Sequence, residues 1–265
     1  MDMQGPELRI GALPAPILLR AGETVELSAL PLPEVAREAL CPGQELLLDD
    51  GKLLLTVVRG GKAHVNRGGL LQSRKSLALP GREIRLPALT EADLQNIAAA
   101  GDWGVTGLMQ PFVRSREDLE AVRAALKAAG CEHLRLFAKI ENREGLAKLP
   151  ELLPVCDEIV IARGDLGNAM PLWELPAAQK RIAAACREAG RDFMVVTQML
   201  ASMEQNPVPT RAEVSDIFNA VLDGASSVMV TGETAAGKYP VEAIRYLTET
   251  VRMAEQYRKE EGNEA

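Results

Sequence analysis

Four charged side chains, Lys139, Glu141, Arg163 and Asp165, stand at the ends of two apolar runs, FAKIEN (137–142) and EIVIARGDLG (158–167). A strand buried on both faces reads as a near-continuous apolar run. Charges just past its end therefore lie at the carboxyl edge of a sheet, where α/β proteins place their sites. An ammonium, a guanidinium and two carboxylates meeting there could hold a divalent cation and an anionic substrate together. Glu141 and Asp165 are hard oxygen ligands suited to Mg2+ or Mn2+, which take one or two carboxylates and complete their shell with substrate and water. Lys139 is placed to stabilise charge on a transferring phosphoryl group. The plainer reading is two surface carboxylates near a loop, with Lys139 paired to Glu141, and spacing alone does not separate the two.

Weaker signals surround this stretch. Gly164 lets backbone N–H groups approach a carboxylate or phosphate, although a simple tight turn explains the same glycine. Thr197 and Thr231 could hydrogen-bond a substrate, but Thr is common at strand ends. Met194, Met199, Met203 and Met229 read as core fillers.

The elements that must position these groups fall into two textures. From Ile17 to about Pro87, short apolar runs are broken by turn pairs, and Asp50-Gly51 and Gly60-Gly61 are two-residue hairpin signals. This predicts a small β domain. From Thr90 the pattern becomes strand–helix alternation. Thr90 with Asp93, Ser115 with Asp118 and Thr210 with Glu213 predict helix starts, and Gly130, Gly190 and Gly224 predict helix ends. Residues 144–153 read as one short helix. Five βα units follow one another, with residues 6–12 as a sixth strand, which implies a parallel sheet with helices outside. Nearly every strand ends in polar residues: Gln110 and Arg114, Lys139 and Glu141, Arg163 and Asp165, Thr197, Thr231 and Glu233. That distribution is the mouth of a TIM-type barrel rather than the single switch point of an open sheet. Six strands do not close such a barrel, which needs eight.

Composition narrows the function. Of 265 residues, 47% are hydrophobic and 25% charged, as in ordinary globular proteins. A net charge of −7 and only 3% aromatic residues argue against nucleic-acid binding. Four scattered cysteines and two histidines offer neither a disulfide frame nor a zinc site. With no leader and no long apolar run, the chain is expected to be cytoplasmic, with no membrane partner.

Ten stretches together resemble pyruvate kinase: DMQGPELRIG, DDGK, GGLLQSRKSLALPG, FVRS, AKIENREG, IARGDLG, QK, TQMLASM, NPVPTRAEVSDIFNAVLDG and VTGETAAGKYPVEA. The resemblance implies a partial (βα)8 barrel from residues 1–12 and 88–265, with a small β-barrel lid inserted at 13–87. It implies phosphoryl transfer from phosphoenolpyruvate to ADP, giving pyruvate and ATP, in glycolysis. Carried over by position, Lys139 stabilises the moving phosphoryl, and Glu141 and Asp165 hold Mg2+ or Mn2+. Ala162, Arg163, Gly164 and Asp165 bind the substrate carboxylate, with Thr197 beside them in the network that protonates the enolate. Arg9 and Lys75 lie near the nucleotide, and Asp2 matches a ligand of a monovalent cation, normally K+.

The sequence departs from the family at several points. Met3-Gln4 stands for Thr-Lys, so one K+ ligand is lost. Gln110-Pro111 stands for Ala-Ser, Asn168-Ala169 for an acidic pattern, and Thr231 for Ser. The family's first two barrel strands, with a substrate-binding arginine and the rest of the K+ site, have no counterpart here. Nor does its C-terminal domain, so the resemblance is to a truncated form. Two other readings compete: a non-catalytic remnant that binds a partner chain, and a metal-dependent lyase or aldolase acting on pyruvate or oxaloacetate. The latter would not need the β domain or Lys75. Unpaired strand edges are an association hazard. The isolated chain is therefore expected to be poorly active, and to form homo-oligomers, associate through its barrel edges or be unstable.

Overall fold

The structure is a computed structural model that describes residues 1–82 and 84–262. Glu83 and residues 263–265, which fall within the two expected domain ranges, lie outside the described residues.

The broken apolar runs fold as short antiparallel strands. These are β1 (Ile17–Leu19), β2 (Thr24–Glu26), β3 (Glu45–Leu48), β4 (Leu53–Val58), β5 (Lys62–Arg67), β6 (Gly69–Leu71) and β7 (Leu77–Ala78), with one short helix, α1 (Glu34–Glu38). They form a five-stranded sheet in the order β2-β5-β4-β3-β7 and a two-stranded sheet, β1-β6. Asp50 and Gly51 connect β3 to β4, and Gly60 and Gly61 connect β4 to β5. All four have left-handed φ, between 54° and 80°, as tight hairpins matched to strand twist require. Alternate residues along these strands, including Leu46, Leu48, Leu55, Ala63 and Val65, are fully buried in a core of their own.

The second half alternates as the sequence predicts. Its elements are α2 (Glu91–Ala99), β8 (Gly107–Gln110), α3 (Arg116–Ala128), β9 (Arg135–Ile140), α4 (Arg143–Ala147), α5 (Leu149–Leu152), β10 (Glu158–Ala162), α6 (Arg163–Asn168) and α7 (Leu175–Glu188). Then follow β11 (Asp192–Val196), α8 (Arg211–Leu222), β12 (Ser227–Met229), α9 (Gly232–Ala235) and α10 (Pro240–Gly262). Strands β8 to β12 form one parallel sheet in chain order. Leu136, Ile140, Ile159 and Phe193 face the helices, where Leu119, Val122, Leu126 and Ile182 meet them in the main core. Val160, Ala162 and Val196 look the other way and gather with Phe137, Met194 and Met229 in a smaller cluster. Phe137, Lys139 and Glu141 share parity, so the strand's two-residue period carries Lys139 on the face away from the helices.

The expected sixth strand is displaced. Residues 1–3, rather than 6–12, pair in parallel with β8: Met3 N–H donates to Met109 O at 3.0 Å and Met109 N–H to Met1 O at 2.8 Å. Gly5, with φ of 59°, then turns the chain, and Pro6 follows it without an N–H to continue a ladder. Leu8 and Ile10 next join the small sheet in antiparallel fashion. Ile10 N–H donates to Lys75 O at 2.9 Å and Leu77 N–H to Leu8 O at 2.8 Å, and Ile10 is buried in that core.

Asp93 anchors this entry. Fully buried, its carboxylate accepts from Gln4 N–H (2.8 Å), Gly5 N–H (3.0 Å), Thr90 N–H (2.8 Å) and the Thr90 hydroxyl (2.8 Å). The Thr90 capping box is thus also the clamp on the chain start. Asp93→Ala strands these donors and is expected to cost roughly 3 kcal/mol in urea unfolding. A loss below about 1 kcal/mol would show that water satisfies them instead.

Two smaller expectations change. Ser115 makes no side-chain cap, because Asp118 accepts instead from Arg114 through its backbone N–H, Nε and Nη2 at 2.9 to 3.0 Å. The helix expected over 144–153 is two helices, broken at Lys148, two residues before Pro150. The Thr210–Glu213 box is present, and Glu213 also accepts from Ser202 N–H and Oγ. Among the described residues, no helix is long and apolar enough to cross a membrane.

Candidate active site

Lys139 and Glu141 meet at the carboxyl end of β9. The Lys139 Nζ lies 3.2 Å from Glu141 Oε1 and 3.5 Å from Asp2 Oδ1, the latter brought there by the pairing of residues 1–3 with β8. Only 3% of the Glu141 side chain is exposed. Its second oxygen, Oε2, accepts from Phe112 N–H at 2.7 Å. Phe112 holds a φ of 52°, rare for a bulky residue, just after Pro111. Such strain persists where the surroundings impose it, and here it coincides with an N–H donated to a buried carboxylate.

Burial dominates the electrostatics. It pushes the Glu141 carboxyl up to about 7; Lys139 pulls it back down, and Asp165 adds to the rise. Burial works to lower the Lys139 pKa too, but Glu141 and Asp2 outweigh it and hold the ammonium above its ordinary value. Lys139 is therefore charged, beside a carboxylate that is reluctant to be.

Asp165 lies in the first turn of α6, with its pKa raised by burial and next by Asp50 of the β3–β4 hairpin, against Lys139, Asn168 and Arg9. The small sheet thus comes close to this edge. A methyl group added at Gly51 would sit 2.6 Å from Asn168 Oδ1, so the hairpin tip touches α6 directly. Between the two units lies a cleft of about 330 Å3, with Glu7, Ser76, Phe112, Glu141, Asp165 and Asn168 in its lining.

The other expected residues already have partners within the fold. The turn at Ala162, Arg163 and Gly164 is the start of a short helix, α6. The Arg163 guanidinium is bound to Thr197 O and to Asp216. Thr197 has a φ of 77° and packs against Gly164, where a Cβ would lie 3.1 Å from its Cγ2. Arg9 pairs with Glu7 at 2.8 Å and donates to Arg74 O. Lys75 pairs with Asp49 at 2.8 Å. Glu233 accepts from Leu200 and Thr231 N–H, fixing two strand-end loops to each other. The sequence reading passed over Glu7, Asp50 and Phe112. A Pro before an aromatic at a strand end was the signal for Phe112, whereas nothing local placed Asp50 across a cleft.

Among the described residues, no three His, Cys, Asp or Glu side chains gather closely enough to hold a metal by themselves. Mg2+ asks for less, one or two carboxylates with substrate and water. Asp165 raises the cost of charging Glu141, and both carboxylates draw on the one cation of Lys139, so a bound dication would relieve a repulsion already present. The donor set fits. It does not fit K+ as well: Asp2 faces an ammonium, and the Met3 side chain is buried in the main core.

Comparison with known proteins gives this arrangement its relatives. Residues 1–244 match the family model for the barrel domain of pyruvate kinase. The chain is 35% identical to the pyruvate kinase of Borreliella burgdorferi, over 98% of its own length and 57% of the relative's. Identity to the enzyme of Schizosaccharomyces pombe is 43%, over 81% and 43% of the two chains. With that of Geobacillus stearothermophilus it is 37%, over 97% and 46%. The chain spans about half the length of these curated relatives. The match to the family model extends from the strand that carries Asp2 to the last helix, and on that evidence the chain belongs to the pyruvate kinase family.

Proposed function

We propose that this chain carries the phosphoryl-transfer site of a pyruvate kinase, acting between phosphoenolpyruvate and ADP. The observation that carries the reading is Lys139, charged and fixed 3.2 Å from buried Glu141, which lines a cleft together with Asp165. In the reaction the bond from phosphorus to the enolate oxygen breaks, a bond to the terminal oxygen of ADP forms, and the enolate carbon takes a proton. Lys139 stabilises the phosphoryl oxygens in transit. Glu141 and Asp165 would hold Mg2+ or Mn2+, which when bound supplies neutralising charge to the substrate. The backbone of Ala162, Arg163, Gly164 and Asp165 orients the substrate carboxylate, and Thr197 belongs to the protonation network. Arg9 and Lys75 approach the nucleotide once they leave Glu7 and Asp49. Asp2 keeps Lys139 charged, and no step runs through K+.

In this reading residues 1–12 and 88–265 are part of a (βα)8 barrel and 13–87 a lid. Residues 8–11 already belong to the lid sheet, which puts the hinge at Gly5-Pro6. The contact of the hairpin tip with α6 favours a kinase over a lyase or aldolase, whose chemistry needs no lid.

The test is pyruvate formation by the purified chain with Mg2+, phosphoenolpyruvate and ADP. Pyruvate that requires all three supports the reading; none, from a chain that binds Mn2+, supports a non-catalytic remnant. One observation favours association in either case. Among the described residues, β12 and residues 1–3 each pair on one side only, leaving two edges open to another chain.

A further inference from the structure

Arg163 stands next to the expected carboxylate-binding backbone, yet its guanidinium is committed elsewhere. Nε and Nη2 both donate to Thr197 O, at 3.2 and 2.8 Å, and Nη1 pairs with Asp216 Oδ2 at 2.6 Å. Nη2 also lies 2.9 Å from Met199 Sδ, and only 12% of the side chain is exposed. The carbonyl it grips belongs to a strained turn. Thr197 and Gln198 have φ of 77° and 55°, a left-handed pair without glycine, and Thr is β-branched.

Three contacts hold that turn. Arg163 takes the Thr197 carbonyl, while Glu233, 2% exposed, accepts from Leu200 N–H at 3.0 Å. Gly164 leaves the space that the Thr197 methyl fills, which seats Thr197 Oγ1 3.7 Å from the point where a Gly164 Cβ would be. Because Gly164 and Arg163 are adjacent, the groove for the methyl and the fork on the carbonyl move as one piece. A planar fork gripping one oxygen, itself braced by a carboxylate of α8, fixes direction as well as distance.

We propose that Arg163 is a positioning residue. It locks the left-handed turn at Thr197 and so sets the Thr197 hydroxyl beside the backbone of Gly164 and Asp165. The guanidinium does not bind substrate. This inference rests on the pyruvate kinase reading for its catalytic consequence, since Thr197 would then act in proton transfer at the methyl carbon of pyruvate. The relevant half-reaction can be read alone: with Mg2+ in D2O, a methyl proton leaves, and solvent returns a deuteron to the same carbon, with no oxidation or reduction.

The experiment compares the full chain with Arg163→Met, Arg163→Lys and Asp216→Asn. It measures deuterium uptake at the pyruvate methyl by NMR, KM for phosphoenolpyruvate, and amide hydrogen exchange at residues 197–200. Arg163→Met is expected to slow methyl exchange roughly 10- to 100-fold, the scale of a displaced catalytic group, with little change in KM. Amides at 197–200 should exchange faster while the β3–β4 hairpin keeps its protection, which shows that the variant is folded. Arg163→Lys should recover part of the loss, and Asp216→Asn should give a smaller one. Unchanged methyl exchange in Arg163→Met, a raised KM with normal exchange, or unchanged amides at 197–200 would each overturn the proposal. If the unsubstituted chain neither exchanges pyruvate protons nor transfers phosphoryl, the kinase reading falls. The amide result then decides the lock by itself.

Discussion

Lys139→Met is expected to lower phosphoryl transfer by roughly 10^3- to 10^5-fold, the range for a cation acting on the phosphoryl in flight. Met keeps the length and apolar stem of the lysine, so the strand and its pairing with β10 persist. What disappears is the charge 3.2 Å from Glu141 and 3.5 Å from Asp2. Lys139 is also what pulls the Glu141 pKa down towards about 7. Without it that carboxyl titrates still higher, and Mn2+ binding moves to higher pH without being abolished. A Mn2+ titration from pH 6 to pH 9 separates the two consequences. Binding retained at the alkaline end with turnover gone assigns Lys139 to the phosphoryl. Turnover within about tenfold of the parent would remove it from the mechanism, and binding lost at every pH would make it a structural partner of Glu141.

How legible was this site in the sequence? The parallel sheet was, because β10 is buried along its whole length and the run EIVIA has no other comfortable environment. The meeting of Lys139 with Glu141 was legible too, since strand parity puts 137, 139 and 141 on one face. What stayed hidden were partners far away in the chain. Arg163 at a strand end reads as an anion ligand, and only the fold brings Asp216 and Thr197 O to it. Lys75, expected near the nucleotide, pairs with Asp49 at 2.8 Å, a partner that no local pattern announces. The first strand failed for another reason. Three residues at 1–3 are too few to show a period, while Leu8 and Ile10 alternate as well against a small antiparallel sheet as against a large parallel one. Local capping chemistry survived where the box was complete, at Thr90 and Thr210. It failed at Ser115, where an arginine one residue earlier won the carboxylate.

Glu141→Gln should make the chain more stable at pH 8 and unable to bind a divalent cation. In the unfolded chain this carboxyl titrates near 4.5, and in the fold near 7. Between those values the folded state holds a proton that the unfolded state has lost, so stability falls as pH rises through the window. Above the folded pKa the whole penalty is present, on the order of 3 kcal/mol. Asp165 and Glu7 are shifted in the same direction, and Asp49, Asp157 and Glu213 in the opposite one. The parent profile alone therefore mixes several groups, and the difference between parent and variant isolates Glu141. Gln keeps an oxygen for Phe112 N–H and removes the buried charge, but leaves Lys139 with Asp2 as its remaining carboxylate. The net gain at pH 8 should then be about 1 to 2 kcal/mol, vanishing by pH 5. Urea unfolding at both pH values, with and without Mn2+, is the measurement. Mn2+ should stabilise the parent at pH 8 and leave the variant unmoved, because only a state that binds the ion gains from its presence. A variant that Mn2+ stabilises, or one less stable than the parent at pH 8, would show that Glu141 is held by Lys139 as a structural pair. The opposite result would mean that the fold bears a destabilising buried carboxylate for the sake of a cation, the trade expected of a site kept for chemistry.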